Sequence, residues 1–196
     1  MMLSQEEKWL LEEKYVGEKS EAFFADCLKL KTGTPLAYLI GYVPFLNTKI
    51  YLDSKPLIPR PETEFWVEKA KKEIEKYQTK NQSLKILDLC AGSGCIGVAV
   101  AKDNPDIFVD FIELDEHQKL IEKNCLANNI TQNFRIISGD LFSPLQNETY
   151  DFILSNPPYI DKTLNRTEKS VTAHEPSLAL YGGVLGMEII AKIIIQ

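Results

Sequence analysis

The groups best suited to chemistry lie in Leu154-Ser155-Asn156-Pro157-Pro158-Tyr159-Ile160. Asn156 offers a side-chain amide, Pro157 a carbonyl held in place by Pro158, and Tyr159 a flat aromatic ring. An amide oxygen and a fixed carbonyl are two acceptors, and two acceptors suit a planar NH2 group. Carboxamide nitrogen is a poor nucleophile because its lone pair is delocalised into the carbonyl. Holding both N–H bonds while the ring of Tyr159 packs on the planar group would direct that nitrogen toward an electrophile. Asn156, Pro157 and Tyr159 are therefore the candidate catalytic residues. The bland alternative is an Asn-Pro turn that merely ends a strand; alone, the tetrapeptide divides about evenly between the two.

The elements that must position this turn can be read upstream of it. Residues 150–154 form an apolar run that reads as a buried strand. Neither proline can continue a ladder, because each lacks the N–H and has its φ fixed. Pairing stops at Asn156, and the turn is displayed at the strand's carboxyl end, where open α/β sheets bind ligands. Strands are also expected at 84–89, 107–112 and 134–137, with helices at 95–102 and 116–128. Asp115 would cap the second of these, with Gln118 completing the box. This interleaving predicts an α/β fold with a doubly wound, mostly parallel sheet. A long polar loop, residues 161–183, follows the fourth strand, and loops of that length are usually functional or disordered.

The first of these strands runs into Asp88-Leu89-Cys90-Ala91-Gly92-Ser93-Gly94-Cys95-Ile96-Gly97. Gly92-x-Gly94-x-x-Gly97 satisfies the dinucleotide fingerprint, and Glu113 follows at the spacing of a ribose-binding acid. A nicotinamide-dependent hydride-transfer enzyme is one reading, and a plain glycine turn between strand and helix is another. Neither explains the Asn-Pro-Pro-Tyr turn, and no second mononucleotide half is visible. An S-adenosylmethionine enzyme explains both motifs. That cofactor has no pyrophosphate, so the loop needs closeness more than phosphate capture. Glu113 would hold the two ribose hydroxyls, Asp140 and Leu141 would flank the adenine, and the methyl would point toward Asn156. Methyl transfer is an in-line displacement, in which alignment can be worth roughly 7–11 kcal/mol. Neither a metal nor a covalent nucleophile is needed.

Before the sheet, the chain begins with helices. Ser4-x-x-Glu7 is a capping box, and Trp9, Leu10 and Val16 give the first helix an apolar side. A second helix, 20–30, carries Ala22, Phe23, Cys27 and Leu30 at helical spacing. Thr34-Pro35 opens a short third helix that Gly41 closes. Residues 1–41 thus read as a small helical domain, to which the family resemblance given below assigns substrate docking. Residues 42–60 read as a hairpin linker around Asn47. Residues 61–196 read as the cofactor-binding domain, opening with Leu57-Ile58-Pro59-Arg60-Pro61-Glu62-Thr63-Glu64 and a long helix to about Tyr77.

Composition narrows the class. With 28 acidic against 22 basic residues the formal charge is −6, which does not favour affinity built on neutralising phosphates. The four cysteines show no C-x-x-C pairing and there are two histidines, so neither zinc nor a disulfide framework is suggested. Reduced thiols and the lack of a signal peptide or spanning run point to the cytoplasm, away from membranes.

Four blocks in order resemble the HemK/PrmC family, the release factor glutamine methyltransferases. They are Pro35-Leu36-Ala37-Tyr38-Leu39-Ile40-Gly41, the segment from Leu57 to Glu64, Leu87-Asp88-Leu89 with its glycine loop, and the stretch from Leu154 to Ile160. Glu175-Pro176-Ser177-Leu178-Ala179-Leu180 is a weaker fifth. The resemblance implies a Rossmann-like class I methyltransferase fold. It also implies methylation, from S-adenosylmethionine, of the side-chain amide of glutamine in the Gly-Gly-Gln loop of peptide chain release factors. By that match Cys90, Ala91, Gly92, Ser93, Gly94, Glu113, Leu141 and Asn156 contact the cofactor, and Asn156, Pro157, Pro158 and Tyr159 receive the glutamine. The release factor is then the protein partner, with no direct nucleic acid and no membrane expected. The family's helical domain is longer, and its last three strands lie beyond Gln196. The sheet is therefore expected to be truncated, with the fourth strand an apolar edge carrying Ile153 and a helix at 186–196 short of packing surface. An adenine amino methyltransferase of nucleic acid and a cofactor-binding but inactive remnant remain the alternatives.

Overall fold

The computed structural model describes residues 2–78, 83–164 and 167–195. Its helices are α1 (Gln5–Glu13), α2 (Glu21–Lys31), α3 (Leu36–Ile40), α4 (Pro61–Tyr77), α5 (Cys95–Asp103), α6 (Gln118–Ala127), α7 (Lys169–His174), α8 (Ser177–Leu180) and α9 (Glu188–Ile195). The strands are β1 (Tyr42–Phe45), β2 (Thr48–Tyr51), β3 (Lys85–Leu89), β4 (Phe108–Glu113), β5 (Phe134–Ser138) and β6 (Phe152–Ser155). Strands β3 to β6 form a parallel sheet in the order β5-β4-β3-β6. The chain steps outward from β3 to β5 by helical crossovers, then returns to the other side of β3. The order reverses between β3 and β6, and a crevice opens outside the strand ends at such a point.

Alternation along the strands explains how both faces are covered. Side chains two apart share a face, so Ile86, Val109 and Phe111 meet α4, α5, α6 and the β1–β2 hairpin. Leu87, Leu89 and Ile112 face the other way, toward Leu141 and toward Ile189 and Ile193 of α9. The hairpin expected as a linker is pinned to α6. Asn124 and Asn128, one turn apart, accept from the N–H groups of Tyr51 and Lys49 at 2.8 and 3.0 Å. Their amides return bonds to the carbonyls of the same residues at 3.1 and 2.8 Å.

Helices α1 to α3 close around Leu10, Phe23, Cys27 and Leu39, a cluster separate from the main core. The Ser4–Glu7 capping box forms in both directions. Two side chains assigned to this core lie outside it: Trp9 is 48% exposed, and Val16 sits beyond the end of α1 at φ 51°. Ala22 is exposed as well, whereas Asp26 is buried. Burial would raise the Asp26 carboxyl, but bonds from Lys14, Lys29 and Tyr15 outweigh it and hold the carboxyl down at about 2.

Other local expectations change for identifiable reasons. Pro35 itself caps α3, so Thr34 is not the cap. A 3-10 turn precedes α6, and Asp115 accepts from the hydroxyl of Ser138 in place of capping the helix. Tyr150 lies outside β6, and its hydroxyl donates to Asp110 at 2.7 Å beside the two-pronged Arg135. The long loop after β6 contains α7 and α8, although residues 165 and 166 lie outside the described residues. The helix expected over 186–196 begins only at Glu188, and Gln196 also lies outside the description. Strand β6 is an edge of the sheet, with Ile153 49% exposed.

Candidate functional site

Strands β3 and β6 are paired through Leu89 and Ser155, so their two carboxyl-end turns leave the sheet side by side. The hydroxyl of Ser155 locks that junction by donating to the Leu89 carbonyl at 2.7 Å. After Leu89 the chain bends sharply, with Cys90, Gly92 and Gly94 all at positive φ (59°, 56° and 76°). The Gly92 N–H donates to Oε2 of Glu113 at 2.6 Å, and the Leu114 N–H to Oε1 at 2.9 Å. The acid at the end of β4 is thereby oriented by the loop at the end of β3.

The third glycine serves packing. A Cβ on Gly97 would lie 2.3 Å from the ring of Phe111, so only glycine lets α5 approach β4 this closely. The Gly97 N–H donates to Oδ2 of Asp88 at 2.8 Å, while Oδ1 has no partner among the described residues. Burial pushes the Asp88 carboxyl up to about 8, with the Glu113 charge adding to the rise. Burial also pushes the Cys90 thiol up to about 12, helped by Glu113. A thiol raised in this way is protonated at neutral pH, the poorly reactive form.

A cleft of about 230 Å³ opens where these turns meet. Cys90, Ala91, Gly92, Ser93, Glu113, Asp140, Leu141 and Asn156 all stand in its wall, together with Pro158. Gly94 does not; it caps α5. Pro157 and Tyr159 are also outside the lining, and Tyr159 is 61% exposed. Leu141 reaches inward at φ 49°. Among the described residues no cluster of His, Cys, Asp and Glu could hold a metal, and no helix is long and apolar enough to cross a membrane.

Several lining residues escape the sequence reading. Ile58 and Pro59 cover one side and Pro176, Leu178 and Ala179 another. Glu175, buried at 6% exposure, joins these two walls: it accepts the Ile58 N–H at 3.0 Å and the Arg60 guanidinium at 2.5 Å. Both segments carry recognisable motifs, but nothing in the sequence says that they meet. His117, buried with Nδ1 2.7 Å from the Ser54 hydroxyl, also lines the cleft. Its place on a helix start gave no signal.

The residues fit S-adenosylmethionine. Each Glu113 oxygen already accepts one main-chain N–H and keeps a lone pair for a ribose hydroxyl. Leu114 and Leu141 offer apolar surface for a flat base, and the open Gly92 position, with nothing within 4 Å of a notional Cβ, leaves room for close approach.

The model of the methyltransferase small domain family matches residues 69–175. A release factor glutamine methyltransferase from Francisella tularensis is 39% identical over 170 residues, covering 86% of this chain and 58% of its own length. One from Thermodesulfovibrio yellowstonii is 37% identical over 163 residues, covering 82% of this chain and 57% of its own. The chain thus spans less than two thirds of the length of these curated relatives. Among solved structures, the hMettl16 catalytic domain in complex with MAT2A 3'UTR hairpin 6 matches with a TM-score of 0.54 at 18% identity. That match covers 75% of this chain and 55% of the other, and the likeness is one of fold alone.

Proposed function

The chain belongs to the methyltransferase small domain family, and from that premise we propose that it methylates the side-chain amide nitrogen of glutamine in the Gly-Gly-Gln loop of a peptide chain release factor, with S-adenosylmethionine as donor. One juxtaposition carries the reading: Asn156 lines the same cleft as Glu113 and the glycine loop. The names of the relatives supply the substrate class.

In the proposed mechanism, Glu113 holds the ribose of the cofactor and Gly92 lets it approach, while Asp140 and Leu141 border the base. When bound, S-adenosylmethionine would supply a methyl group made electrophilic by its sulfonium, with the neutral thioether as leaving group and the displaced amide proton passing to solvent water. The chain's own contribution is alignment. The Asn156 amide oxygen and the Pro157 carbonyl accept the two N–H bonds of the substrate amide, and Tyr159 packs over its plane. Tyr159 is exposed before substrate arrives, which suits a ring that closes on an incoming loop of another protein. Fixing both N–H bonds leaves rotation and approach angle settled before reaction, the kind of orientation worth several kcal/mol.

Residues 1–41 are proposed as the docking unit for the protein substrate, 42–60 as its connection and 61–196 as the cofactor-binding domain. The separate cluster around Leu10 and Phe23 supports the first assignment. A cytoplasmic setting is part of the same proposal. The test is transfer of radiolabel from S-adenosylmethionine to a release factor, to the same factor with its Gly-Gly-Gln glutamine replaced, and to duplex DNA. Labelling of the first alone is expected. Labelling of DNA would instead indicate an adenine amino methyltransferase, and cofactor binding without transfer an inactive remnant.

A further inference from the structure

We propose that Gly182 and Gly186 are positioning residues that hold the Asn156–Tyr159 turn from behind; this rests on reading that turn as the place that receives the substrate amide. The backing is made of main chain. The Ile160 N–H donates to the Leu180 carbonyl at 2.9 Å and the Gly182 N–H to the Ile160 carbonyl at 3.1 Å, so Ile160 and Tyr181 run as a parallel pair just past the turn. The Glu188 N–H then donates to the Gly182 carbonyl at 2.9 Å, which ties the backing to the start of α9.

The gap between backing and turn admits no side chain. A Cβ on Gly182 would lie 2.4 Å from the Pro158 carbonyl oxygen and 2.9 Å from Tyr159 Cα. A Cβ on Gly186 would lie 2.1 Å from the Tyr159 carbonyl oxygen. These neighbours are backbone atoms, which cannot swing aside as the end of a side chain can. A methyl at either position must therefore displace the turn or its backing, and with it Asn156 relative to the cleft. Gly182 is the cleaner probe, because its φ lies outside the left-handed region and alanine there meets only the steric obstacle. Gly186, at φ 70°, meets both obstacles. Val184, next along the same segment and 69% exposed, is the control, because Gly183 itself lies at φ 79° and would be strained as alanine.

The experiment compares Gly182→Ala, Val184→Ala and the native chain in three measurements: S-adenosylmethionine affinity by calorimetry, turnover on a Gly-Gly-Gln release factor, and exchange of the Ile160 amide. Misplacement by about an ångström can cost up to about a hundredfold in rate. Gly182→Ala is expected to lose about tenfold or more in kcat while cofactor Kd stays within about threefold. Val184→Ala should keep native turnover, and the Ile160 amide should be protected in the native chain. Native kcat and KM in Gly182→Ala would overturn the proposal, as would an equal loss in Val184→Ala. So would an unprotected Ile160 amide in the native chain, a readout that stands even if Gly182→Ala fails to fold. A native chain that labels no release factor would reject the proposed reaction, leaving the exchange measurement to judge the backing role separately.

Discussion

Oε2 of Glu113 accepts the main-chain N–H of Gly92 at 2.6 Å, so the carboxylate at the end of β4 and the loop at the end of β3 hold each other in place in the wall of the cleft. Removing the carboxylate takes away the proposed ribose acceptor and a brace of the loop together. Glu113→Ala should weaken S-adenosylmethionine binding by about 1.5–3 kcal/mol, the range for charge-assisted hydrogen bonds. Calorimetry at low ionic strength checks this, and an unchanged Kd would remove Glu113 from the cofactor site.

Asp88 makes a prediction about stability and pH. Its carboxyl is raised from 3.8 to about 8 in the folded chain, chiefly by burial. Below the unfolded value both states are protonated. Between the two values the folded chain keeps a proton that the unfolded chain has released, so stability falls as pH rises through that window. One such proton gives a slope of up to about 1.4 kcal/mol per pH unit. Asp88→Asn cannot ionise and should show a flatter decline between the two values. Urea midpoints measured across that window, with parallel curves for the variant and the native chain, would show that Asp88 is ionised in the fold.

The pair between Arg60 and Glu175 predicts a cost that is local to the cleft. The Glu175 side chain is only 2% exposed, against 34% for Arg60. Arg60→Met leaves a buried carboxylate with the Ile58 N–H as its remaining partner. The expected destabilisation is about 1–3 kcal/mol, below the full figure for a deeply buried pair because Arg60 reaches solvent. Denaturant titration measures it; a change of a few tenths would mean that the two walls are held together by packing alone.

Much of this site is legible in the sequence because its constraints are local. Gly92-x-Gly94-x-x-Gly97 encodes a sharp turn and a close helix, and the Gly97–Phe111 contact shows why the last glycine is there. Two prolines after Asn156 encode where β6 must stop, and β6 ends at Ser155. The relations that stay hidden join residues far apart in the chain. Glu175 stands in the sequence only as the first residue of the weaker fifth block, and nothing there shows that Ile58 and Arg60 lie against it. Gly182 falls in the expected loop and Gly186 at the start of the expected helix, and neither place reveals that the Pro158 and Tyr159 carbonyls lie beside them. Val16 departs from expectation for the opposite reason: its apolar side chain continues a helical period, but the chain turns at φ 51° just beyond α1 and leaves it in solvent.

The central claim is that the turn after β6 aligns a glutamine amide against the bound cofactor, and Asn156→Ala tests it most directly. The measurement is tandem mass spectrometry of a release factor incubated with S-adenosylmethionine and either the native chain or the variant, with cofactor affinity determined in parallel. The account predicts one added methyl on the Gly-Gly-Gln glutamine with the native chain and none with Asn156→Ala. Cofactor affinity should stay within about tenfold, since the lost acceptor acts mainly on the reacting amide. Near-native methylation of that glutamine by Asn156→Ala would contradict the chemical role assigned to the turn.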